Sequence, residues 1–88
     1  MATFALVYTG KSDTLGFSVW ELRRRNKHVP FPSHQLVQDC FSRAMPKRQL
    51  MSYLREDGHC YLEFDAGTTS AERDRLMEML DEEIVAHG

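Results

Sequence analysis

The sequence predicts an α+β fold, a four-stranded antiparallel sheet with two helices on one face in the order ββαββα. Three observations lead there. Leu36 to Met45 and Leu76 to Val85 repeat apolar residues at helical spacing. Asp57-Gly58 separates two runs that suit strands. A β-branched and aromatic run from Thr3 closes at Gly10-Lys11-Ser12-Asp13. With 88 residues, 42% of them hydrophobic, the chain can fill one small core, so residues 1–88 are read as a single domain.

Thr3 to Thr9 reads as the first strand, and Phe17 to Arg23, after Gly16, as its antiparallel partner. A helix over residues 15–26 is the rival, because Leu15, Val19 and Leu22 also fall at helical spacing. The strand is preferred: Gly16 would occupy the first turn of that helix, and Phe17, Val19 and Trp20 favour a pleated surface. Pro30 and Pro32 deny residues 26–32 either a helix or a ladder.

Ser33 then caps a helix whose stripe is Leu36, Val37, Cys40, Phe41, Ala44 and Met45, with Gln35, Gln38, Asp39 and Arg43 off it, and Pro46 stops it. Gln49 to Glu56 and His59 to Asp65 form a hairpin about an Asp-Gly type I′ turn. Cys60, Leu62 and Phe64 share one face of its second arm, and His59, Tyr61, Glu63 and Asp65 the other. Residues 47–56 have a helical alternative, started by Pro46 and ended by Gly58, with Leu50, Tyr53 and Leu54 on one side. Thr69-x-x-Glu72 is a capping box, and Leu76, Met77, Leu80, Ile84 and Val85 continue the last helix. The two ββα halves share no convincing sequence similarity.

The net charge of −2 conceals a split. Residues 1–55 hold nine Lys and Arg against three Asp and Glu, whereas residues 56–88 hold two against ten. Such asymmetry speaks of fields and partners rather than of fold. Either the halves neutralise each other within the molecule, or one of them faces a partner.

The basic candidates are Arg23, Arg24, Arg25 and Lys27 with Arg43, Lys47 and Arg48, beside Trp20 and Tyr53 as stacking planes for single-stranded bases. Against that reading, the glycine and paired aromatics of an RNA-recognition sheet are absent, and the total charge is negative. The acidic candidates are Glu72, Asp74, Glu78, Asp81 and Glu82 on the last helix. Asp74, Glu78 and Glu82 recur at four-residue spacing, which costs a few tenths of a kcal/mol per like-charged pair. Glu82 and Glu83 also lie at the unfavourable end of the helix dipole. A helix carrying such penalties points to a basic surface nearby, such as an Arg-rich patch on another protein.

No constellation compels chemistry. Ala5 to Ser12 meets only the loosest phosphate-loop pattern, with Leu6, Val7 and Tyr8 in a strand where glycines would be needed. His59 and Cys60 are strand neighbours and point to opposite faces, so they make no thiolate and base pair with each other. Cys40 and Cys60 lack the close spacing of zinc ligands and are expected as reduced core thiols. The first ten residues offer neither a signal peptide nor a membrane span.

The expectation is a cytoplasmic, non-enzymatic regulator or inhibitor that binds another protein through a charged face, with no catalytic residue, cofactor or metal. The alternative is an RNA or single-stranded nucleic-acid module using residues 23–28 with Trp20 and Tyr53. A homodimer is a further expectation, since a two-fold pair would dock basic half on acidic half twice.

Overall fold

The computed structural model describes residues 3–87, with side chains as far as Ile84. Its elements are β1 (Phe4–Lys11), β2 (Phe17–Arg24), α1 (His34–Ala44), β3 (Leu50–Glu56), β4 (His59–Asp65) and α2 (Ser70–His87). The four strands form one antiparallel sheet in the order β1-β2-β4-β3, the ββαββα arrangement the sequence predicts.

Neither helical alternative, over residues 15–26 or 47–56, forms: β2 and β3 occupy the central part of the first range and the end of the second. Gly16, at a φ of 88°, belongs to the turn that feeds β2, a conformation open to glycine and hostile to a helix start. In β3, Leu50 and Tyr53 pack against the core while Leu54 stays 51% exposed, so the three residues do not share the one face a helix would give them. The turn at Asp57 and Gly58, with φ values of 50° and 78°, sets that hairpin.

β1 runs on to Lys11, past the end that Thr9 suggests. Tyr8 opposes Trp20 and Gly10 opposes Val19, which leaves Thr9 as an extra residue in a bulge. Gly10, at a φ of 148°, lets the chain recover the ladder. A second bulge interrupts β3 between Leu50 and Ser52. The first hairpin's turn therefore falls after Ser12, where Leu15 is 98% exposed.

The two hairpins meet along one seam, where Phe17–Glu21 of β2 pair with residues 61–65 of β4. Past Glu21, β2 stays paired to β1 as far as Arg24, and β4 stays paired to β3 from His59. Between Arg23 and His59 no ladder continues, so the hairpins diverge at that end of the sheet.

One face of the sheet is covered by both helices. Phe4, Leu22, Cys60, Leu62 and Phe64 from the strands are buried with Val37, Cys40, Phe41 and Ala44 of α1, Met45, and Leu76 and Leu80 of α2. The predicted stripes thus meet in one core, with Leu36, Met77 and Ile84 half-buried at its edge. Val85 lies outside the residues whose side chains are described. The caps are formed as the spacing implies: the Leu36 N–H donates to Ser33 Oγ at 3.1 Å. The Thr69 N–H donates to Glu72 Oε1 at 2.9 Å and the Glu72 N–H to Thr69 Oγ1 at 3.1 Å.

Candidate interaction surfaces

Folding brings the two charged halves together. Arg48, just after α1, donates from Nε and Nη2 to the two carboxylate oxygens of Glu72, each at 3.2 Å, and lies 3.6 Å from Asp65. This fork raises the pKa of Arg48 and lowers that of Glu72, which also accepts the Thr69 N–H. Arg43 reaches Glu83 and Asp39, both at 3.2 Å. Two of the basic candidates therefore pair with Asp65, Glu72 and Glu83 of the acidic half inside one molecule, and any basic-on-acidic dimer contact at these residues would have to compete with these pairs.

The remaining basic candidates divide. Arg23 Nε donates to Glu21 Oε1 at 3.0 Å. Arg24 points to the helix side of the sheet and donates to the carbonyls of Lys27 and Val29 at 3.1 and 3.0 Å. Its guanidinium also lies 4.2 Å from the Phe31 ring centroid, and that of Arg55 lies 4.4 Å away. Arg24 thereby fastens the loop before α1. Arg25, Lys27 and Lys47 are exposed and make no ion pair among the described residues.

The candidate stacking rings are engaged. Trp20 stacks on Phe64 at 5.7 Å and meets the edge of Tyr8 at 5.3 Å; Arg73 lies 4.5 Å from its centroid, and its Nε1 donates to Ser18 Oγ at 2.9 Å. Tyr53 stacks on His34 at 5.1 Å and donates its hydroxyl to the Pro32 carbonyl. Each ring has a place in the closed molecule before any base arrives.

Of the acidic candidates, Glu72 is held by Arg48, and Asp81 accepts the Thr3 N–H at 3.0 Å and the Thr3 hydroxyl. Asp74, Glu78 and Glu82 are exposed and make no ion pair among the described residues. They form one row along α2, because residues four apart lie on the same side of a helix.

Sequence reasoning missed a second locus, on the uncovered face of the sheet. Glu21 of β2 is only 9% exposed. Its Oε1 accepts from Arg23, and its Oε2 lies 2.8 Å from His59 Nδ1 on β4. Tyr61 stacks beside His59 at 6.1 Å, and Glu63 accepts the hydroxyls of Ser52 and Ser12. His59, Tyr61 and Glu63 share a face as the alternation implies, whereas Glu21 joins them only through the β2–β4 register, which no local signal encodes.

The bond to His59 lowers the Glu21 pKa, burial opposes it, and Arg23 adds to the lowering. A carboxyl whose folded pKa is depressed contributes stability above its unfolded value, about 4.3, and that contribution fades as pH falls through the folded value. Glu21→Gln keeps the shape and loses the charge. Denaturant titrations from pH 6 to pH 3 should show the parent losing on the order of 1 kcal/mol more than Glu21→Gln. Parallel pH profiles would show that the carboxylate is not held.

Among the described residues no group of three or more His, Cys, Asp and Glu is placed to hold a metal, and no helix is long and apolar enough to cross a membrane. Of the segment that loosely matches a phosphate loop, Ala5 to Ser12, all but Ser12 lies in β1, paired to β2 on either side of the bulge at Thr9. No family model, no curated protein and no solved structure matches the chain.

Proposed function

We propose that this chain is a non-enzymatic binding protein that regulates or inhibits another protein by presenting the outer face of α2 to a basic surface. One observation carries the reading. Arg43 and Arg48 are paired internally, yet Asp74, Glu78 and Glu82 stand in one exposed row and make no ion pair among the described residues, with Arg75 as the single cation between the first two. The exposed cations without an ion pair or ring contact are scattered by comparison: Lys11 ends β1, Arg25 and Lys27 share one loop, Lys47 lies in another, and Arg75 lies on α2. A row of like charges on a helix is unfavourable in isolation, and a complementary surface converts it into attraction and orientation. Free, buried Cys40 and Cys60 suit a reducing compartment such as the cytoplasm.

The test is affinity capture from lysate of the host cell, nuclease-treated and untreated, with the parent and two charge-reversed variants. Reversing Asp74, Glu78 and Glu82 to lysine should abolish a nuclease-resistant protein partner, a loss of at least about 100-fold in affinity once the partner is purified. Reversing Arg25 and Lys27 to glutamate should leave it bound. The opposite pattern, with capture lost on nuclease treatment, would replace this reading with nucleic-acid binding.

A further inference from the structure

At the end of the sheet where the hairpins diverge lies an open cleft of about 300 Å³, lined by Glu21, Arg23, Arg24, Lys27, Phe31, Gly58 and His59. Three cations face it against one carboxylate, and that carboxylate is already committed. Each Glu21 oxygen holds one donor: Oε1 takes Arg23 Nε and Oε2 takes His59 Nδ1. The side chain of Glu21 is 12% exposed, while those of Arg23 and His59 are 59% and 54% exposed.

The consequence is directional. With Nε bound to Glu21, Arg23 keeps its terminal fork of two nitrogens for another acceptor. With Nδ1 bound to the same carboxylate, His59 presents Nε2 away from it. Lys27 adds an exposed ammonium with no ion pair among the described residues. Arg24, fastened to the loop carbonyls and to Phe31, adds fixed positive charge to the wall. Glu56, the cross-strand partner of His59, and Asp57 in the adjoining turn are exposed, and neither lines the cleft.

The geometry points to an anion site in this cleft, formed by Arg23, Lys27 and His59 and oriented by buried Glu21, that takes a phosphoryl group. A planar fork and an ammonium at the mouth of one cavity, joined by His59 Nε2 when the ring carries both protons, match the several acceptor oxygens of a phosphate better than the two of a carboxylate. The site is independent of the acidic row on α2, and its occupant differs in charge from the partner proposed there.

The test is an amide NMR titration of the whole chain with inorganic phosphate, sodium chloride serving as the control at matched ionic strength. Saturable shifts confined to residues 23–27, Gly58 and His59 are expected. Arg23→Ala and Lys27→Ala should each weaken binding about tenfold or more, with spectral changes from the substitution itself confined to its neighbours, Glu21 and His59 among them for Arg23→Ala, because both side chains are exposed. Lys47→Ala, in another loop, should bind as the parent does. Shifts that chloride reproduces, or an Arg23→Ala variant that titrates like the parent, would overturn the site. Two further probes distinguish sources of the phosphoryl group. Tighter binding of a small phosphomonoester than of phosphate assigns a terminal phosphate, and tighter binding of a short single-stranded oligonucleotide, lost in Arg23→Ala, assigns a strand phosphate.

Discussion

Phe64→Ala is expected to destabilise the fold by about 3–5 kcal/mol, as large-to-small changes at fully buried aromatics do. Phe64 is 0% exposed on β4 and sits opposite Ser18 of β2 and Leu50 of β3, at the one seam that joins the hairpins. Its ring stacks on Trp20 and lies 5.5 Å from Phe41, so it ties both hairpins to α1. Removing it leaves a cavity bounded by sheet and helix that neither layer can close alone. Small domains hold about 5–15 kcal/mol in total, so the variant should populate unfolded chain measurably at room temperature. Urea titration is the measurement. Leu54→Ala, on the uncovered face and 51% exposed, should shift stability by no more than about 0.5 kcal/mol. Equal effects at the two positions would mean that the core is not where the packing places it.

The second large effect concerns the thiols. Cys40 and Cys60 are both 0% exposed and unpaired. Burial pushes both thiols up in pKa; Arg43, whose Nη2 lies 3.6 Å from Cys40 Sγ, only partly offsets this, as does the Tyr53 hydroxyl at Cys60. Reaction with a thiol reagent therefore requires an opening that exposes sulfur and restores the thiolate. Labelling in native buffer should run at least about a thousandfold slower than in urea, since core positions open with free energies near the global value. In Phe64→Ala the rate should rise by the same factor as the equilibrium constant for unfolding, about 100-fold or more for a loss of 3 kcal/mol. Rapid labelling of Cys60 alone in the parent would show that β4 opens locally, and would undo the account of the seam as the centre of stability.

Much of the fold was legible because its signals are local. Ser33, Pro46 and the Thr69–Glu72 box mark helix ends by their own hydrogen-bonding needs, and Asp57-Gly58 selects its turn by backbone conformation alone. The alternation of Cys60, Leu62 and Phe64 identified the buried face of β4. Legibility ended where a feature depends on which strand lies beside which. Glu21 registers with Tyr61 only once β2 and β4 pair, so the Glu21–His59 contact was invisible, although His59 was assigned to the correct face. The charged sites divide likewise. Spacing alone put Asp74, Glu78 and Glu82 in a row, but whether Glu72 and Asp81 belong to it depended on Arg48 and Thr3, which reach them across the molecule.

Each edge strand carries a bulge, at Thr9 in β1 and between Leu50 and Ser52 in β3. A regular strand from a second molecule approaching either edge would meet a ladder that loses step by one residue, so its amides and side-chain faces would fit on one side of the bulge and miss on the other. Open-ended strand addition, the route by which small sheets turn into ribbons and then fibrils, is therefore obstructed at both borders by the backbone itself. The outer surfaces of the molecule need not provide that protection and are left free to carry charge for other purposes.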